Sequence, residues 1–195
     1  HPNRKSAFFN PHLLFTVIQM LDIATAYNKY KFLGNDFLTW IWFLIETDQD
    51  ISQIIQSSNI IQLDVGNAIV LENRLGDKSV EKISIKGDQA GLEEGTTALK
   101  KGASVTQINL VCTINEEEYK FTVKGESLNF TGLKTPKMDL SGKDDEMEGM
   151  VLEKAYLCFK VFDLMDALFI RFIDQRTSKE WHQKGLQDMK NWIQS

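Results

Sequence analysis

The segment Phe32-Leu33-Gly34-Asn35-Asp36-Phe37-Leu38-Thr39-Trp40-Ile41-Trp42-Phe43-Leu44-Ile45-Glu46 constrains this chain most. Trp40 and Trp42 stand two residues apart in a nine-residue run from Phe37 to Ile45 that only Thr39 interrupts. Asn35 or Asp36 can accept from the free N–H groups of a first helical turn, so the run reads as a capped helix. A bilayer crossing needs roughly 20 apolar residues, so the run is too short to span one. It must be buried in protein, either in this chain's own core or against a partner.

Around it, the order of periodicities sets the fold class. Asn10-Pro11 reads as a helix opening, with a helix expected to about Tyr30. From Ile60 the pattern changes to short strand-like segments. Ile60–Asp64 and Ala68–Glu72 flank Val65-Gly66-Asn67, which reads as a hairpin-like junction. Val80–Lys86 alternates, Ser104–Ile114 and Tyr119–Lys124 read as strands, and a short strand is expected at Ser127–Thr131. Gln89–Lys101 reads as a weak helix containing Gly91 and Gly95, and Met138–Lys143 as a polar linker. Val151, Ala155, Cys158, Phe162, Met165, Phe169 and Phe172 then recur at alternating spacings of four and three, a heptad-like seam. Thr177 with Glu180 reads as a capping box for a last helix.

Helices, then strands, then helices define an α+β domain: an antiparallel sheet of about four to six strands packed by N-terminal and C-terminal helices. The 195 residues fit one such domain, with a helical N-terminal unit over 1–46, a β-rich region over 60–131 and C-terminal helices over 144–195. The opening His1-Pro2 suits a piece of a longer protein. Thr16, Gln19 and Asp22 interrupt the apolar residues from Leu13 to Ile23, which do not read as a signal peptide. Cys112 and Cys158 read as free thiols of a reducing compartment, with a disulfide as the alternative.

No arrangement of side chains specifies an enzyme. The histidines are His1, His12 and His182, none with a cysteine or second histidine at metal-ligand spacing. Gly91-Leu92-Glu93-Glu94-Gly95 sets two carboxylates where a phosphate loop needs backbone N–H groups and a lysine. Glu118-Tyr119-Lys120 matches the Glu-x-Lys pair of metal-dependent nucleases, but its sole distant acidic candidate is Asp64, and such tripeptides are common in charged turns. The expectation is a protein without catalytic residues, metal or small-molecule cofactor.

Two binding readings remain. Lys82 and Lys86 fall on one face of their strand, and Lys120 and Lys124 on the solvent side of theirs. If those strands are neighbours, four ammonium groups share one surface able to track a phosphate backbone; otherwise they are an ordinary solvated sheet face. A net charge of −5 restricts any polyanion site to such a local patch. Trp40, Trp42, Phe43, Phe162 and Phe169 are either core or an interface burying surface against another subunit.

The Leu33-Gly34-x-x-Phe37-Leu38-Thr39-Trp40-Ile41-Trp42 core resembles a motif in the C-terminal half of divergent RdgC proteins, the recombination-associated family. Lys101-Gly102 and a C-terminal Leu168-Phe169-x-x-Phe172 followed by a tryptophan-bearing segment resemble that family's layout. The specific match covers about fifteen residues. The resemblance implies a cytoplasmic, nucleoid-associated protein that binds double-stranded DNA with little sequence preference, as a ring-shaped dimer. The chain departs from the pattern in being shorter and acidic, and no DNA-contacting residue falls within the matching motif.

Overall fold

In a strand, alternate side chains face opposite sides of the sheet, so one buried face requires every second residue to be apolar. The computed structural model describes residues 32–75, 79–85, 89–137 and 147–195. The chain divides into two units, His1–Lys31 and Phe32–Ser195, and all described residues belong to the second. The helix expected from Asn10 to Tyr30 and the Met138–Lys143 linker lie outside the described residues.

Helices α1 (Phe32–Glu46) and α2 (Ile51–Ile54) lead into strand β1 (Ile61–Leu75). Next come β2 (Ser79–Ile85), helix α3 (Gln89–Lys100), and strands β3 (Ser104–Ile114), β4 (Glu117–Lys124) and β5 (Asn129–Lys134). The long helix α4 (Met147–Thr177), a π-helical turn (Trp181–Gly185) and α5 (Leu186–Gln194) close the chain. The strands form one five-stranded antiparallel sheet in the order β2-β1-β3-β4-β5, confirming the expected α+β class. No helix among the described residues is long and apolar enough to cross a membrane.

The inner face of the sheet and the helices form one core. Leu71, Val105, Ile108, Leu110, Phe121 and Val123 are fully buried there, together with Trp40, Trp42, Val161 and Phe172 from the helices. Burying each such side chain stabilises by about 1.5–3 kcal/mol. The tryptophan helix reaches this depth because Gly34 crosses Gly125 backbone to backbone. A Cβ at Gly34 would lie 1.8 Å from the Gly125 carbonyl oxygen. The buried Thr39 satisfies its hydroxyl by donating to the Asn35 carbonyl at 2.9 Å, and the Trp42 indole N–H donates to Glu46 at 3.1 Å.

Four local expectations are corrected. Val65-Gly66-Asn67 is not a hairpin: β1 continues through it, and the pairing with β3 jumps from Val65–Leu110 to Ile69–Ile108. The extra residues bulge out around Asn109, whose side-chain oxygen accepts from the Asn67 N–H at 3.1 Å. Its amide group donates to the Phe121 carbonyl and the Thr122 hydroxyl. Gly66 is required because a Cβ there would sit 2.0 Å from that oxygen.

Asn35 and Asp36 lie within α1, which already includes Phe32, so neither caps it. The last helices are capped by Ser178, whose hydroxyl accepts from the Trp181 N–H at 3.1 Å. Thr177 instead donates back to the Ile173 carbonyl. Finally, the buried seam of α4 runs through Leu157, Val161, Leu164, Leu168 and Phe172, turned from the expected one; Val151 and Phe162 of the expected set face solvent.

Candidate nucleic-acid interface

The outward positions of the sheet follow from its register. One row reads Asp64, Val111, Lys120, Lys134 across β1, β3, β4 and β5. A second reads Ser84, Val70, Gln107, Lys124 and Asn129 from β2 to β5. Asn109, Thr122 and Thr131 occupy the row between them on β3, β4 and β5. Apart from the two valines, this face is built of amide, hydroxyl and charged groups, and it stays outside the core cluster. Hydroxyls, amides and lysines are the groups that contact phosphate oxygens in nucleic-acid complexes.

Lys82, Lys120 and Lys124 are exposed on this outer face, while Lys86 lies outside the described residues. Their strands are not neighbours: β1 and β3 separate β2 from β4. At about 4.8 Å per strand spacing, Lys82 stands about 14 Å across the sheet from the β4 lysines. It also lies in register with Glu72. Lys120 pairs with Glu118 at 3.0 Å and stands directly opposite Lys134. Like charges opposed across strands destabilise an exposed pair, and a bound anion relieves that cost. Exposed Lys137 follows β5.

Lys134 was absent from the sequence reading for a physical reason. A register shift between Lys120 and Thr122 lies opposite Gly132, whose φ of +64° favours glycine, and the resulting bulge breaks the alternation of β5. Period-two reasoning cannot follow a strand through a bulge.

The aromatic candidates divide. Trp40 and Trp42 are 1% and 0% exposed; Trp40 packs on Phe37 and Phe172, and Trp42 meets Trp192 edge-on. Phe43 is half-buried against Trp192, and Phe169 half-buried against Phe37. Phe162 is exposed, with one side on Phe130.

Several groups carry shifted acidities, all structural in setting. Burial holds the Cys112 thiol up to about 12, with Asp64 adding to the shift, and Cys112 and Cys158 are both free. Burial raises the Tyr119 phenol, and its hydrogen bond to Glu117 at 2.8 Å raises it further. Lys160 donates to the same Glu117 oxygen at 2.6 Å, which lowers that carboxyl below its ordinary value. Burial raises Asp36 despite its 2.7 Å pair with Arg176, whose guanidinium also lies over the Phe32 and Phe172 rings.

Glu118 and Asp64 both point outward, but they stand two strands and two residues apart, about 12 Å. Among the described residues, no three His, Cys, Asp or Glu side chains are grouped to hold a metal. A cleft of about 520 Å³ opens between α4 and the β3–β4 turn, floored by Ile61, Ile114 and Leu164 and walled by Tyr156 and Phe159. No protein-family model matches the chain, and searches of curated proteins and of solved structures give no match.

Proposed function

We propose that this chain is a non-enzymatic, sequence-independent DNA-binding protein acting in recombination or at the nucleoid, with the outer sheet face as its contact surface. The observation that carries the reading is the β4–β5 corner. There Lys120 and Lys134 oppose each other in register and Lys124 extends the line, among Thr122, Thr131 and Asn129. Such a surface grips phosphates without reading base edges. The resemblance of the Leu33–Trp42 core to RdgC proteins supports the biological setting, a cytoplasmic protein on duplex DNA.

The test is a salt titration of binding to an arbitrary duplex. Affinity falls steeply with salt, with a slope set by the number of phosphates neutralised. Replacing Lys120, Lys124 and Lys134 together by alanine weakens binding equally across sequences and reduces the slope by about two to three. Absence of duplex binding at moderate salt overturns the proposal, and so does an unchanged slope in the triple variant.

A second reading has its own observation. The solvent side of α4 carries large apolar side chains over its first half, which suits a protein-interaction or homo-oligomeric assembly module. Duplex titration beside sedimentation separates the two: an assembly module forms dimers or larger species and shows no duplex binding at moderate salt.

A further inference from the structure

Helix α4 is apolar on two opposite sides. Its core side begins at Leu157 and continues through Val161, Leu164 and Leu168. At 100° per residue, Val151, Leu152, Ala155, Tyr156, Phe159 and Phe162 centre on the opposite side of the helix. The five large members of that set are between 39% and 64% exposed. Residues 148–156 contain no buried position, so the first turns of α4 stand free of the core.

We propose that this second stripe pairs with the same stripe of a second copy, the two α4 helices related by a two-fold axis. The inference rests on the assembly reading and names its surface. Area supports a copy of the chain as the occupant. A full aromatic side chain offers 150–250 Å², so these exposures leave about 500 Å² of apolar surface on each copy. Two copies together cover about 1,000 Å², the size at which a specific interface begins. A patch of this size is self-complementary in an isologous pair, where each residue meets its mate's counterpart across the axis.

The stripe is bounded on the same side by exposed acids, Glu148 before it and Asp163 and Asp166 after it, so the paired surface has an apolar centre and a charged rim. The apolar contact runs for about 17 Å, the length of residues 151–162 in a helix.

The experiment compares sedimentation of the 195-residue chain with that of the Tyr156→Glu/Phe159→Glu variant and of Leu152→Glu alone. Leu152 precedes every buried residue of α4, so its replacement leaves folding intact and keeps the test valid if the double variant fails to fold. The expected result is a dimer for the parent and at least a tenfold weaker dimer for each folded variant, with unchanged circular dichroism. A parent that sediments as a monomer overturns both this inference and the assembly reading. A dimer that persists in the variants overturns the inference alone and assigns assembly to another surface.

Discussion

Helices α1 and α4 pack on the same sheet face and are comparably rich in apolar residues, yet they use that richness differently. In α1, eight of the fifteen residues are buried, and Gly34 lets its first turn lie directly on the β4–β5 turn. Thr39 and Trp42 each bond a residue four positions away, and Asp36 pairs with Arg176 of α4. Helix α4 is 31 residues long and contacts the core along one stripe, leaving a second stripe in solvent. An apolar helix is therefore core where neighbours surround it and surface where it outruns them. Composition does not distinguish the two cases; position along the helix does.

The sharpest way to break this comparison is to remove matched aromatics. Trp40→Ala empties a site enclosed by Phe37 and Phe172 and lowers stability by about 3–5 kcal/mol in urea unfolding. If α1 were a surface helix, the loss would be small. Gly34→Ala forces its methyl against the Gly125 carbonyl oxygen, and separating the two backbones costs about 1–3 kcal/mol, read in the same assay. Ser178→Ala removes the acceptor for the Trp181 N–H and costs about 1 kcal/mol, whereas Thr177→Ala does not lose a cap. Phe159→Ser, on the outward stripe of α4, changes monomer stability by no more than about 0.5 kcal/mol, measured at low concentration.

The two cysteines sharpen the contrast chemically. Cys112 lies on the inner face of β3 with its thiol held up to about 12, while Cys158 is half-buried on α4. Alkylation followed by mass spectrometry modifies Cys158 first at neutral pH, and Cys112 only after unfolding. The acidity shifts also set an alkaline limit on stability. Cys112 and Tyr119 are raised above their ordinary values of 9.0 and 10.0, so the fold favours their protonated forms. That contribution is complete below pH 9, starts to fall above 9 and 10 as the unfolded chain releases these protons, and is lost as pH rises to where the folded groups ionise, about 12 for Cys112. Glu117 acts in the other direction: its carboxyl is lowered, so its contribution is present above the ordinary value of 4.5 and fades as pH falls below it. Its side chain is 37% exposed, and solvent screening makes the acid effect the smaller of the two.

The sheet was legible from alternation wherever strands were regular. Lys120 and Lys124 were legible as outward-facing because Phe121 and Val123 point to the core, and Lys82 because Ile83 and Ile85 do. Legibility failed at bulges and at helix rotation. The Gly66 bulge looked like a turn, since glycine and asparagine serve both, and the Asn109 side chain that fills it is distant in sequence. The α4 seam was misread because two apolar stripes share one helix, and a period alone does not say which of them meets the core.

Local chemistry in this chain's own residues determined which segments form helices and which form strands, and the antiparallel character of the sheet. These follow from side-chain period and turn residues, which act over a few positions. Only the tertiary structure decided the strand order β2-β1-β3-β4-β5, which separates Lys82 from the β4 lysines and brings Lys134 opposite Lys120. It also decided which stripe of α4 is buried. Both depend on contacts between residues far apart in the chain, where the free energy of packing one face against another outweighs any local preference.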